Sequence, residues 1–98
     1  MKEIVKKRLI FNNQYRFISN VFSDEIYIIF YNNSYKAISG FCPHFGGPLT
    51  LNMNGEFHCY WHDWKFDVHS LTCKNFSFKK KLKEYKVKDL GDSLEVFL

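Results

Sequence analysis

Two short Cys/His pairs restrict the fold and function of this chain more than any other feature. Cys42 and His44 lie two residues apart in FCPHFGGPL, and Cys59 and His62 lie three apart in FHCYWHDWKFD. Fourteen residues separate the two pairs. Thiolate and imidazole groups are ligands for zinc, for copper and for iron in clusters. A hairpin between two such loops would bring them together, so the sequence predicts a four-ligand metal site.

Two kinds of metal site can use these four residues. A tetrahedral zinc site accepts two Cys and two His, but its commoner spacing pairs Cys with Cys and His with His. A [2Fe–2S] cluster accounts for the mixed pairs, because its two irons lie side by side and each loop can give one ligand to each iron. Cys42 and Cys59 would hold one iron, and His44 and His62 the other. The spacing alone leaves zinc as an alternative.

Composition and turn residues predict an all-β chain of 98 residues. Ala occurs once, whereas Phe occurs 11 times and Tyr 6 times, a balance that favours strands. EIYIIFY (25–31) and SYKAIS (34–39) flank Asn32–Asn33, and alternating segments flank Gly91–Asp92, so each pair predicts a hairpin. With no sustained helical period, we expect one domain over residues 1–98, a small antiparallel β-sandwich or barrel.

The two motifs resemble the box of the Rieske [2Fe–2S] family, which has the pattern C-x-H, a variable gap, then C-x-x-H. EIYIIFYNNSYKAISGFCPH resembles the hairpin before the first loop, and LKEYKVKDLGDSLEVFL resembles the closing hairpin, so the resemblance extends from about Asp24 onward. It implies a single Rieske domain with a two-loop cluster-binding subdomain at approximately 40–68. It also implies one [2Fe–2S] cluster per chain, bound by Cys42, His44, Cys59 and His62.

Departures from the high-potential members of the family imply a low reduction potential. In those members a disulfide clamps the two loops, and its positions correspond here to Gly47 and Trp61. In those members two hydroxyl groups also donate hydrogen bonds to sulfur. The corresponding residues here are Trp64 and Phe66, which have no hydroxyl group. Reduction adds negative charge to the cluster, so losing donors lowers the potential, and the nearby anion Asp63 acts in the same direction. We expect about −150 mV, the low end of the family range.

This profile resembles the soluble Rieske ferredoxins. The resemblance implies a one-electron carrier between a flavoprotein reductase and an oxygenase-type acceptor, an electron-transfer protein rather than an enzyme, with no catalytic residue. Within the family, the alternative is a small Rieske subunit of a larger oxidoreductase, such as a nitrite-reductase-like complex. Outside it, a zinc-stabilised interaction module and a nucleic-acid-binding β-domain remain as competing hypotheses.

Charge and chain composition bear on partners and location. The formal net charge is +4, with an excess of Lys in the segment Lys79–Lys88, which is either a solvated face or a docking surface for an acidic partner. We expect neither nucleic acid nor membrane as a partner. The longest apolar run is too short to span a bilayer, and we find no signal peptide. An odd count of three Cys argues against disulfides, so we expect a reducing cytoplasm.

Several residues near the motifs have packing roles in this interpretation. His58 adjoins Cys59 in a predicted strand, where neighbours point to opposite faces, so it is a surface or packing residue rather than a ligand. His69 is expected in a turn, and Cys73 as a plain thiol at a strand end. Asp63 stands where the family usually has Gly, and Asp tolerates the left-handed backbone that such a turn needs. Trp61 and Trp64 are expected to pack over the loops.

Overall fold

The computed structural model describes residues 1–43, 46–52, 55–61, 63–76 and 81–98. Its backbone forms two compact units, Met1–Ser39 with Glu84–Leu98, and Gly40–Lys83. Within the described ranges there are nine strands and one short 3₁₀ turn at Lys7–Leu9. The strands are β1 (Lys2–Lys6), β2 (Gln14–Ser19), β3 (Asp24–Tyr31), β4 (Ser34–Ser39), β5 (Leu49–Leu51), β6 (Glu56–Cys59), β7 (Trp64–Asp67), β8 (Glu84–Asp89) and β9 (Ser93–Phe97).

The first unit is a six-stranded sheet in the order β1-β9-β8-β4-β3-β2, with every neighbouring pair antiparallel. Ser19, on edge strand β2, donates its hydroxyl hydrogen to the carboxylate of Glu3 on the opposite edge strand β1 at 2.7 Å. This hydrogen bond requires the sheet to curve until its edges approach each other. The predicted antiparallel all-β fold is therefore confirmed, and within it the sheet is a nearly closed barrel.

One cluster of buried side chains forms the hydrophobic core of the first unit, and β3 and β4 are buried on both faces, because consecutive residues are buried at 26–29 and at 37–39. Tyr85 is the largest residue of the cluster, and its hydroxyl donates to Asp24 Oδ2 at 2.6 Å. Burial, together with that carboxylate, raises the pKa of Tyr85 above its ordinary value of 10. The buried polar group is thus satisfied. The other core residues are Val5, Ile26, Ile28, Ala37, Leu94 and Val96.

Both predicted hairpins are present. Asn32 and Asn33 connect β3 to β4 with φ of 56° and 63°, the positive values that a two-residue turn of this type needs. Gly91 lies between β8 and β9 with φ of 94°. The sequence reasoning missed β1 and β2, which precede the part of the chain that resembles the family.

The second unit contains a three-stranded antiparallel sheet in the order β5-β6-β7. Phe57 and Phe66 are register partners on β6 and β7, and both are fully buried. The sheet places the segment before β5 and the connection between β6 and β7 at the same end, because Leu49 pairs with Cys59. No helix in the described ranges is both long and apolar enough to span a lipid bilayer.

Candidate metal centre

The first loop precedes β5 and is closed by its own backbone. Cys42 N–H donates to the carbonyl of Gly47 at 2.7 Å, and Gly46 N–H donates to the carbonyl of Cys42 at 2.8 Å. A further backbone hydrogen bond, from Leu49 N–H to Gly40 O at 2.8 Å, joins the two ends of the loop. Cys42 is therefore held from both sides, and its side chain is buried.

The second loop connects β6 to β7, where Cys59 pairs with Trp64. Asp63 has φ of 56°, so the prediction that Asp can replace Gly in this turn is confirmed. The His58 ring N–H donates to Asp63 Oδ1 at 2.5 Å, which links the strand before the loop to the residue at its end. Cys59 is buried at the start of the loop.

Gly47 is the point at which the first loop meets Cys59. A Cβ placed on Gly47 would lie 2.9 Å from Cys59 Sγ, closer than carbon and sulfur normally approach. The same glycine accepts the hydrogen bond from Cys42. The structure therefore brings the two predicted cysteine ligands to neighbouring positions around one residue. The other two predicted ligands, His44 and His62, lie outside the described residues.

The described donor set fits a cluster held by thiolates. Cys42 and Cys59 form no disulfide, and each has 2% of its surface exposed, on loops that meet at Gly47. The absent side chain at Gly47 leaves space beside the Cys59 sulfur. No group of three or more His, Cys, Asp or Glu side chains is placed to bind a metal among the residues described, from which two of the four predicted ligands are missing.

Aromatic side chains surround the two loops. Trp64 stacks on Phe76 with 5.2 Å between ring centroids, and Phe66 lies 6.4 Å from Trp64. Trp61 is 59% exposed, yet its indole carbons lie beside Gly47. The predicted packing of Trp61 over the loops is confirmed, and Trp64 packs against Phe66 and Phe76.

The remaining candidate residues have the structural roles that the sequence predicts. His58 packs against Tyr60, with 4.0 Å between ring centroids, in addition to its contact with Asp63. His69 lies in a turn whose backbone N–H donates to Asp67. Cys73 forms an isolated bridge with Phe66 beyond the last strand of the small sheet, and it is partly exposed.

Asn75 is a residue whose role the sequence reasoning missed. Its amide donates to the carbonyl of Asp63 at 2.8 Å, and its side-chain oxygen accepts from Lys65 N–H at 3.0 Å. These two hydrogen bonds fix the end of the second loop. Because Asn75 is ten and twelve residues from its partners, no local pattern identifies it.

Comparison with known proteins gives a family and a set of similar folds. The model of the Rieske [2Fe–2S] domain matches residues 4–86. The plasma membrane Rieske protein PetC3 from Synechocystis PCC 6803 is 15% identical, with a TM-score of 0.76 and 96% of each chain covered. No curated protein matches by sequence.

Two similar structures come from Nocardioides aromaticivorans IC177. The ferredoxin of its carbazole 1,9a-dioxygenase is 21% identical, with a TM-score of 0.66, over 95% of this chain and 91% of that one. The terminal oxygenase of the same system is 18% identical with a TM-score of 0.69, and the match covers 99% of this chain but 30% of the oxygenase. At these identities the likeness establishes the fold.

The family match at residues 4–86 covers most of the chain, including the β3–β4 hairpin and both cysteine-bearing loops, and Rieske domains are electron-transfer modules that bind one [2Fe–2S] cluster each. This chain therefore belongs to the Rieske [2Fe–2S] domain family.

Proposed function

We propose that the chain carries single electrons on a [2Fe–2S] cluster, with Cys42 and Cys59 on one iron and His44 and His62 on the other. The observation that supports this ligand set is the meeting of two buried cysteines, neither in a disulfide, around Gly47. The cluster, when bound, accepts and releases one electron. The chain's own residues hold the thiolates, order the two loops by backbone hydrogen bonds and surround them with aromatic rings.

The proposed electron acceptor is an oxygenase, and the proposed donor is a flavoprotein reductase. The similarity to the ferredoxin of a carbazole dioxygenase supports the first, as does similarity to structures of a carbazole 1,9a-dioxygenase oxygenase–ferredoxin complex, in which the match covers 28% of the other chain. A reductase is proposed as donor because a ferredoxin that reduces an oxygenase must itself be reduced by another protein. The alternative is a Rieske subunit of a larger oxidoreductase.

The domain boundaries and the location expected from the sequence remain proposals. A single Rieske domain over 1–98 contains the cluster-binding subdomain at about 40–68, and the compact unit Gly40–Lys83 supports a subdomain of this kind. The cytoplasmic location, and the expectation that neither nucleic acid nor membrane is a partner, stay predictions.

The low reduction potential is part of the same proposal. Phe66 is fully buried and has no hydroxyl, and Trp64 stacks on Phe76, so neither supplies an O–H donor to the cluster. Asp63 adds a carboxylate at the end of the second loop. We expect a midpoint potential of about −150 mV. A midpoint well above zero would contradict this part of the proposal.

The first test is metal analysis and electron paramagnetic resonance of the dithionite-reduced protein, purified without added metal. We expect two irons per chain and a rhombic signal whose mean g is below the free-electron value, as for a cluster with histidine ligands. Cys42→Ser and Cys59→Ser should each lose the cluster, because both thiolates are needed to hold one iron. Cys73→Ser, which changes a partly exposed free thiol, is the matched control and should keep two irons.

Two results would contradict the proposal, and each has a definite interpretation. Zinc without a paramagnetic signal would leave the fold unchanged but favour the zinc-stabilised interaction module. Full iron in Cys42→Ser or Cys59→Ser would refute the ligand set.

A further inference from the structure

The two cysteine-bearing loops touch at one tight contact, which joins Trp61 to Gly47. A Cβ built on Gly47 would lie 2.8 Å from Trp61 Cδ2 and 2.9 Å from Trp61 Cγ, and real Cβ atoms essentially never come this close to other atoms. The indole of the second loop thus lies directly on the backbone of the first. Cys59 Sγ is the third atom in this contact, at 2.9 Å from the same position.

Space, rather than backbone conformation, explains why a glycine is present at position 47. Gly55 has φ of 76° and would meet nothing within 4 Å of an added Cβ, so glycine there serves the turn. Gly47 lies outside the range of positive φ that disfavours other residues, yet it has no room for a single methyl group. Its missing side chain therefore allows the indole and the sulfur to approach.

Trp61 is held in a loop that is fixed on both sides. The His58–Asp63 hydrogen bond spans the loop, and Asn75 holds the carbonyl of Asp63. Trp61 is 59% exposed, so only part of its ring is in contact with other residues. The atoms that lie against Gly47 are Cγ and Cδ2, close to the Cβ of Trp61. Dispersion contacts are individually weak but numerous for a ring of this size.

We propose that Trp61, packed on Gly47, is a positioning residue that joins the two ligand loops and shields the Cys59 sulfur from water. It touches no substrate and is not a ligand. It acts by keeping Cys42 and Cys59 at the separation that the cluster needs. This inference rests on the proposed ligand set.

Substitution of Trp61 tests the contact directly. We compare Trp61→Ala with Trp61→Phe, and use Phe11→Ala as the control, because Phe11 is an exposed aromatic residue in the first unit. The readout is bleaching of the oxidised cluster in the presence of an iron chelator. Trp61→Ala should lose its cluster about tenfold faster or more, the usual effect of removing a group that supports a metal ligand. Trp61→Phe should restore most of the stability, and Phe11→Ala should stay close to wild type.

The reduction potential gives a readout that a merely structural role would not change. Water admitted beside Cys59 stabilises the negative charge added on reduction, because a charge is more stable in water than in an apolar site. The midpoint potential of Trp61→Ala should therefore be higher than that of wild type, with Trp61→Phe in between. The paramagnetic signal of Trp61→Ala should also be broader, since looser loops give a wider range of cluster geometries.

Substitution of Gly47 tests the same contact from the other loop. Gly47→Ala places a methyl group against both the indole and the sulfur, so we expect less iron per chain. Gly55→Ala, which strains the backbone but meets no atoms within 4 Å, should bind a full cluster. If Gly47→Ala does not fold, the Trp61 variants decide the question.

The outcomes separate this inference from the proposed function. Cluster loss in Trp61→Ala at the wild-type rate, with an unchanged potential, would refute the positioning role even if Cys42→Ser and Cys59→Ser lose the cluster as proposed. If wild type binds no iron, the proposed ligand set is refuted, whatever the role of Trp61. Limited proteolysis of the protein as purified would still test the contact between loops, and equal cleavage of wild type and Trp61→Ala would refute it.

Discussion

At the scale of single residues, Asp67 shows how one carboxylate orders the turn that follows the small sheet. Its Oδ1 accepts hydrogen bonds from His69 N–H at 2.7 Å and Ser70 N–H at 2.9 Å. These backbone donors lower the pKa of Asp67 below its ordinary value of 3.8, and the N–H of Ser70 has the largest effect. Because the folded pKa is depressed, the stabilisation is present above pH 3.8 and is lost as the pH falls through the folded value.

We therefore predict that Asp67→Asn changes the acid sensitivity of the protein. The urea midpoint of wild type should fall between pH 5 and pH 3 by more than that of Asp67→Asn, because the amide has no charge to lose. At pH 7 the variant should be less stable by about 0.5–1 kcal/mol, because the amide oxygen can still accept both hydrogen bonds but lacks the charge that strengthens them. Asp92→Asn, in the exposed turn between β8 and β9, is the control. Parallel pH profiles for wild type and Asp67→Asn would contradict the prediction.

The candidate ligands could be proposed from the sequence, but the contacts between the two loops could not. Cys42 and Cys59 are proposed as ligands from their type and spacing, and the tolerance of Asp63 for a positive φ follows from its short polar side chain. Trp61 on Gly47 is a contact between two loops, as is the hydrogen bond of Asn75 to Asp63. Such contacts depend on the fold, so no local pattern in the sequence reveals them.

At the scale of strands and turns, the β3–β4 hairpin depends on Asn32 and Asn33. Both have positive φ, a conformation that costs most residues about 1–2 kcal/mol and β-branched residues more. We predict that Asn33→Val lowers the free energy of unfolding by about that amount, or somewhat more. Asn33→Gly should leave it unchanged or raise it slightly, since Asn-Gly is the preferred pair for this turn.

Urea denaturation measured on the cluster-loaded protein checks this prediction. The two variants share the position and differ in whether they tolerate a positive φ. Equal midpoints for Asn33→Val and Asn33→Gly would show that the turn does not limit the stability of the hairpin.

Strands were predictable where the pairing is local. The β3–β4 and β8–β9 hairpins join neighbours in sequence through recognisable turns, and both were predicted. β1 pairs with β9 at the far end of the chain, as in the register of Lys2 with Phe97, so its pairing leaves no local signal. β2 is an exception, because it pairs with β3 through the short turn at residues 20–23, but the turn sequence NVFS has no Asn-Gly, Asp-Gly or Gly-Gly pair to mark a hairpin.

At the scale of the whole molecule, the positive charge governs long-range attraction. The formal charge is +4, and Lys81 and Lys86 are among its exposed sources, whereas Lys79 and Lys80 lie outside the described residues. We predict that oxidation of the reduced protein by ferricyanide, an anion, slows as salt is added. The Debye length falls from about 30 Å at 0.01 M to about 10 Å at 0.1 M, which screens the attraction.

Stopped-flow kinetics over this range of ionic strength checks the prediction. Hexaamminecobalt(III), a cation, should show the opposite slope. The double variant Lys81→Glu/Lys86→Glu removes the formal excess of charge and should flatten both profiles. A flat ferricyanide profile in wild type would exclude electrostatic steering by the lysines.

The pairing of β1 with β9 has a consequence for the order in which the chain folds. The hydrogen bonds of the six-stranded sheet include partners from opposite ends of the sequence, so closing this sheet carries the entropy cost of a long loop. The segment Gly40–Lys83 makes its own small sheet from neighbours in sequence. During synthesis, the cysteine-bearing loops can therefore take shape before β9 emerges from the ribosome, and the six-stranded sheet is completed afterwards.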